Sequence, residues 1–372
     1  MDGVAVPEAT VWKLEPHTGA KHQILARYLD AWFPILGKFN SKLVYVDGFA
    51  GPGCYIDGEP GSPIVALQCA LHHATTLTGA PEFWFIEERQ DRKVRLETEI
   101  GRLTIPQNFI LKTECGTFAE KFKTALDTSD RDGTRFAPTF ALIDPFGFSG
   151  ISYDLIKRVL QRDKCEVLIT FMVDSINRWL THPEEGVRAH ITDTFGTNEA
   201  VDIARGGGDR ATALKDLYLR QLKKVARFVR YFEMRDKDNR VVYYLFFATN
   251  NALGHVKMKE SMWKVDPFGE FSFSDATNPD QQVLFTEAPT DGLANELASH
   301  FAGKPKMQVV SVEAYVHDDT AYLRRHMVEA LKILEGKGAI AVDAIKADGK
   351  KRLARTYPNS AFIRFTNPTS HP

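Results

Sequence analysis

Three short stretches hold residues whose types and spacing could do chemistry together. The first reads V-D-G-F-A-G-P-G, with Asp47 followed by Gly48, Phe49, Ala50, Gly51 and Gly53. Glycines in that density let a backbone pass close to a ligand where a Cβ would clash. A tight turn between two elements needs the same residues, and both readings stay open. The second is F-I-E-E, in which Glu87 could accept hydrogen bonds from both ribose hydroxyls of an adenosyl group, or could be a solvated charge. The third is L-I-D-P-F-G. Here Asp144 offers a carboxylate acceptor, and Pro145 and Phe146 follow it with a backbone carbonyl and a planar ring face. Groups of that kind act mostly by positioning. The alternative for Asp144 is a cap on the turn that follows.

Such residues need a frame to bring them together. Apolar runs at 42–47, 83–87, 108–112, 139–144 and 166–173 each predict a buried parallel strand. Helical segments fit between them, near 62–77, 88–102, 117–128 and 152–161. An amphipathic helix over 18–36 precedes them, with Thr18 as its cap and Pro34 as its exit. Strand and helix alternating in this way imply an open α/β sheet with right-handed crossovers. Asp47, Glu87 and Asp144 then all fall at strand ends, on the edge where such sheets bind ligands. Residues 183–204 and 211–226 read as helices around a Gly206–Gly208 break. The runs 227–234 and 241–249 flank R-D-K-D-N-R as an antiparallel hairpin.

Composition narrows the class. The chain has 372 residues and a formal net charge of −1, which gives no global case for binding nucleic acid. No secretory pattern and no membrane-spanning run is visible. The four cysteines are far apart, which fits a reduced cytoplasmic compartment and disfavours a cysteine zinc site.

Five parallel strands closed by a hairpin look like the Rossmann-like sheet of class-I S-adenosylmethionine methyltransferases. D-G-F-A-G-P-G resembles their first motif and D-P-F-G their D/N-P-P-Y/F motif, with one proline missing. The likeness implies S-adenosylmethionine as cofactor and places Cys115, Gly116 and Thr117, in E-C-G-T-F, beside its adenine. More closely, the chain resembles the three-Cys-motif partner proteins, through K-H-Q-I-L-A-R-Y-L-D-A-W-F-P-I-L, Y-V-D-G-F-A-G-P-G-C-Y-I-D-G-E-P-G-S-P-I-V-A-L, M-W-K-V-D-P-F-G-E-F-S-F-S-D and Y-P-N-S-A-F-I-R-F. That resemblance implies a companion with a three-cysteine motif, itself similar to radical S-adenosylmethionine iron–sulfur proteins. A more distant similarity is to ribosomal-RNA adenine-N6 methyltransferases. In that likeness Lys21 and His22 lie against cofactor or substrate; a solvated helix start is the alternative. Trp263, Phe268, Phe271 and Phe273 are either a base-stacking wall or core.

The tail reads separately. A helix over 323–336, a strand, the loop K-A-D-G-K-K-R-L-A-R and a last strand predict a winged helix. Residues 304–372 carry 12 Lys and Arg against 7 Asp and Glu, a net +5. Arg324, Arg325, Lys350, Lys351 and Arg352 are the candidate nucleic-acid contacts. Docking another protein is the other use of such a module. The expected organisation is thus a methyltransferase-like domain over 1–280, with a helical insertion near 180–226, and a winged helix over 281–372. The expected activity is methyl transfer to a nucleobase amine in DNA or RNA. The alternative is an accessory, cofactor- or nucleic-acid-binding subunit for the iron–sulfur companion.

Overall fold

The computed structural model describes residues 7–75, 77, 79–147, 151–266, 269–276 and 290–366. The chain divides into two compact units. The first comprises 1–265 with 272–281, and the second 266–271 with 282–372.

In the first unit the alternating pattern folds as the apolar runs dictate. Strands β1 (Lys42–Asp47), β2 (Ala80–Glu87), β3 (Ile110–Cys115), β4 (Thr139–Ile143) and β5 (Cys165–Phe171) are parallel. The hairpin β6 (Phe228–Arg235) and β7 (Val241–Thr249) closes the sheet through antiparallel β5–β7 pairing. A short β8 (Ser272–Ser274) adds to β6, and the strand order is 3-2-1-4-5-7-6-8. This is a mixed α/β sheet, mostly parallel, with the strands and closing hairpin in the order the resemblance implies. The order reverses between β1 and β4. There the crossovers leave on opposite faces, so the carboxyl ends of the two strands flank a crevice.

Both faces of the sheet are covered, which is why its strands read as continuous apolar runs. Helix α1 (Pro16–Gly37) packs on one face. Its Tyr28 and Trp32 meet Phe140, and its Phe33 meets Phe83. On the other face Val46, Ile86, Ala141 and Ile169 join Phe118, Phe122, Ile156 and Tyr218 in one core.

Several expectations are corrected. Helix α1 begins at Pro16 rather than after Thr18, because proline's fixed φ suits a first helical position. Pro34 lies inside its last turn rather than at its exit. The carbonyl that it leaves without a donor belongs to Asp30, at an exposed position where water can serve it. Strand β3 starts two residues later than its apolar run and continues to Cys115. As the edge strand it is only half covered, and Ile110 is 40% exposed. Helices over 173–179 and 252–265 arise where no helix was expected.

The second unit runs helix (Thr290–Phe301), strand (Met307–Gln308), helix (Val309–Asp318), helix (Arg324–Gly336), strand (Ile340–Val342) and strand (Phe362–Phe365). The last strand lies between the other two, antiparallel to both. Leu293, Val312, Met327, Leu331 and Ile363 fill its core.

Candidate functional site

At the carboxyl end of β1 the glycine loop is tied to both neighbouring strands. Gly48 N–H donates to the Leu142 carbonyl of β4 and Ala50 N–H to the Ile86 carbonyl of β2, each at 2.9 Å. Gly51 and Gly53 take φ of +62° and +79°, a region that disfavours side chains. Gly48 has a different reason: a Cβ there would lie 2.5 Å from the Phe118 ring, so packing, not a ligand, demands glycine.

The three strand-end acids fare differently. Asp47 is fully buried and accepts hydrogen bonds from the Phe49 N–H and the Tyr45 hydroxyl, both at 3.3 Å. Burial pushes its carboxyl up to about 7, against the pull of Ser62 and those donors. It therefore braces the loop from beneath. Glu87 accepts from the Gly51 N–H at 2.8 Å and the Arg89 N–H at 2.9 Å, and it is 6% exposed. Its carboxylate holds the loop, a role distinct from the expected ribose contact. Asp144 faces the crevice and forms an ion pair with Lys21 of α1. Burial pushes the Asp144 carboxyl up, but the Lys21 ammonium beside it outweighs burial and the net shift is down. His22, next on the helix, is pushed down to about 3 by burial and by Lys21, and is neutral.

Asp144, Pro145 and Phe146 line a cavity of about 90 Å³ together with Lys21, His22 and the loop from Phe49 to Tyr55. Thr170, from β5, and Tyr243, from β7, close its far side. The Lys21 ammonium stands 5.5 Å from the Tyr243 ring centre. Lys21 and His22 are thus site residues and not a solvated helix start. Cys115, Gly116 and Thr117 do not reach this cavity. Thr117 is the N-cap of the helix Phe118–Asp132, accepting from Glu120 N–H and donating to its carboxylate. Cys115 donates to the Glu88 carbonyl.

Two residues that nothing in the sequence singled out dominate the Glu87 side. The Arg92 guanidinium lies 4.7 Å from the Trp12 ring and 5.5 Å from that of Phe146. Trp12 in turn meets Phe146 edge-on at 5.3 Å and Tyr55 at 5.9 Å. Trp12 sits on Gly51 so closely that a Cβ there would be 3.6 Å from its ring.

No family model and no curated protein sequence matches the chain. Among solved structures, the complex of Trm1 from Pyrococcus horikoshii with S-adenosyl-L-methionine is 12% identical. It covers 100% of this chain and 96% of its own, with a TM-score of 0.37. Precorrin-6y C5,15-methyltransferase from Geobacter metallireducens GS-15 is 11% identical, covers 60% and 87%, and scores 0.29.

In the second unit the candidate basic residues separate. Arg352 is spent internally: it binds Glu335 at 2.8 Å and the carbonyls of Asp343 and Thr356. Arg324 reaches Glu313 and the Tyr357 carbonyl. Arg325 donates to His326. Lys350 and Lys351 are exposed and carry no ion pair among the described residues. Of the aromatic candidates, Trp263 is buried, Phe271 meets Tyr322, and Phe268 lies outside the described residues.

Proposed function

We propose that the first unit is an S-adenosylmethionine-dependent methyltransferase acting on a nucleobase amine in DNA or RNA. One observation carries the reading: Asp144 and the positive-φ loop at Gly51 and Gly53 meet in one cavity at the strand-order reversal between β1 and β4. The residues fit the methionine half of the cofactor, where bare backbone at Gly51 and Gly53 lines the wall. They do not fit the adenosine half as it stands, since Trp12 and Arg92 fill the space beside Glu87.

Bound there, the cofactor supplies a sulfonium methyl. The chain's own part is orientation. Asp144, held ionised by Lys21, is an acceptor for an amine hydrogen; the Pro145 carbonyl offers a second; Phe146 offers a ring face. A base within a duplex would have to be flipped to reach them. The winged-helix reading of the second unit, with Lys350 and Lys351 toward phosphate, is supported by its element order and its exposed lysines.

Calorimetric titration with S-adenosylhomocysteine tests the cofactor reading; we expect binding, and a folded chain that shows none in any form overturns it. Asp144→Ala, checked for fold by circular dichroism, should cut methylation about a hundredfold while cofactor affinity stays within about threefold. Undiminished activity in that variant refutes the amine contact. A second reading is favoured by the Lys21–Asp144 pair, which already occupies the amine acceptor. The unit would then bind cofactor or nucleic acid as an accessory of a three-cysteine iron–sulfur companion.

A further inference from the structure

The segment before α1 is more than a lead-in. Its backbone carbonyls are gripped by two arginines of the helix Gln90–Ile100 and the turn before it. Arg89 donates to Pro7 at 3.1 Å and to Glu8 at 2.8 Å. Arg92 donates to Pro7 and, at 3.3 Å, to Ala9. Thr10 bonds Asp91 at 2.6 Å, and the Trp12 carbonyl accepts from Ile56 N–H at 2.9 Å. These contacts are to residues that follow β2 or continue the glycine loop.

What the segment covers is specific. Trp12 lies on Gly51, the bare-backbone position of the loop, and against Phe146, the aromatic of the D-P-F motif. Arg92, 2% exposed, packs beside them, and its buried Nε has no hydrogen-bond partner among the described residues. An unpaired buried donor costs free energy that an arrangement selected only for stability would avoid. The cavity that remains, about 90 Å³, is well below the roughly 300–1,000 Å³ of pockets for drug-sized ligands.

We propose that Pro7–Trp12 is a strap that closes the adenosine half of the crevice and must lift before a nucleoside-bearing cofactor enters. The inference rests on the cofactor reading above. Its anchors suit reversible release. They are carbonyl–arginine bonds, one hydroxyl–carboxylate bond and one backbone bond from Ile56, and Asp91 and Arg89 are substantially exposed. Lifting frees Gly51 and Phe146 together and lets the Arg92 side chain follow the segment or turn to solvent.

The test compares S-adenosylhomocysteine affinity, by calorimetry, across full-length chains. A strap closed nine-tenths of the time or more weakens apparent affinity about tenfold. Trp12→Ala should therefore bind about tenfold more tightly than wild type. Because that variant could also perturb folding, a second chain carries Thr10→Cys and Asp91→Cys, at positions whose native side chains already touch. Oxidised, with the disulfide verified by mass, it should lose binding, and dithiothreitol should restore it. Equal affinity in the oxidised and reduced forms overturns the strap and leaves the cofactor reading standing. Absence of binding in every form, reduced and Trp12→Ala included, overturns the cofactor reading and the strap with it.

Discussion

The crevice between β1 and β4 and the basic loop of the second unit, the wing of the reading proposed above, each hold a carboxylate paired with a cation, and the two pairs serve different ends. Lys21–Asp144 borders a cavity, with side chains 5% and 20% exposed. Arg352–Glu335 is comparably sheltered, at 8% and 23%, and is closed over by Tyr357, whose hydroxyl adds a bond to Glu335 at 2.6 Å and whose ring packs under the guanidinium. Burial pushes both carboxyls up, and in both the cation and its hydrogen bonds win, so both end below their ordinary values. Charge pairing alone therefore does not mark a site. What distinguishes the crevice is that its pair faces space a ligand could take, while the pair in the wing ties a loop to a helix.

The largest expected effect comes from breaking the crevice pair. Lys21→Ala strands a buried carboxylate and should cost about 3–5 kcal/mol of unfolding free energy, read by chemical denaturation. Lys21→Met with Asp144→Leu removes both charges and should recover most of that loss. A double variant no more stable than the single one means that packing, not charge, holds this corner. Arg352→Ala comes next, at about 2 kcal/mol for lost bonds to a charged group. If Arg352→Ala leaves stability intact and instead weakens binding to a nucleic acid, the contrast between the two pairs collapses.

How much of this could be read from sequence follows the same division. The central strands were legible because both faces of the sheet are covered, so they read as apolar runs, three of them closed or followed at once by Asp47, Glu87 and Asp144. Edge strand β3 was misplaced for the opposite reason: with Ile110 half exposed its pattern carries little signal. Of the cavity lining, Asp144, Phe146 and the loop were legible because each directly follows the apolar run of a strand. Arg92 was not. It sits in the polar helix Q-D-R-K-V-R-L-E-T-E-I, where an arginine reads as surface, and is covered by Trp12, 80 positions earlier in the chain, and by Phe146, while the Pro7 and Ala9 carbonyls accept from it. Arg352 misled because a basic run gives no hint of which cation turns inward.

A smaller effect separates the two aspartates of the crevice. Asp47 is pushed up from 3.8 to about 7, so between those values the folded chain holds a proton that the unfolded chain has released. Its contribution to stability therefore falls as pH rises from about 4 to 7, at up to about 1.4 kcal/mol per pH unit, and levels off above. Asp144, shifted down, behaves oppositely: its contribution is present above 3.8 and is lost on acidification below it. Denaturation midpoints of wild type and Asp47→Asn from pH 5 to 8 should diverge, the variant gaining on wild type as pH rises. Parallel curves would place Asp47 with the ordinary carboxylates.

The smallest effect concerns the wing, where pairing has already removed one candidate. With Arg352 held by Glu335, Lys350 and Lys351 are the cations of this run left to meet phosphate. Two lost phosphate contacts should lower the slope of log affinity against log salt by about 1.8 on duplex DNA, or about 1.4 on a single strand. The measurement is a salt series of fluorescence anisotropy on labelled duplex and single-stranded oligonucleotides, with wild type beside Lys350→Ala/Lys351→Ala. Stability should be unchanged, since neither side chain supports the core. An unchanged slope removes this loop from the phosphate contacts and favours the protein-docking reading of the second unit, which requires no excess of exposed lysine.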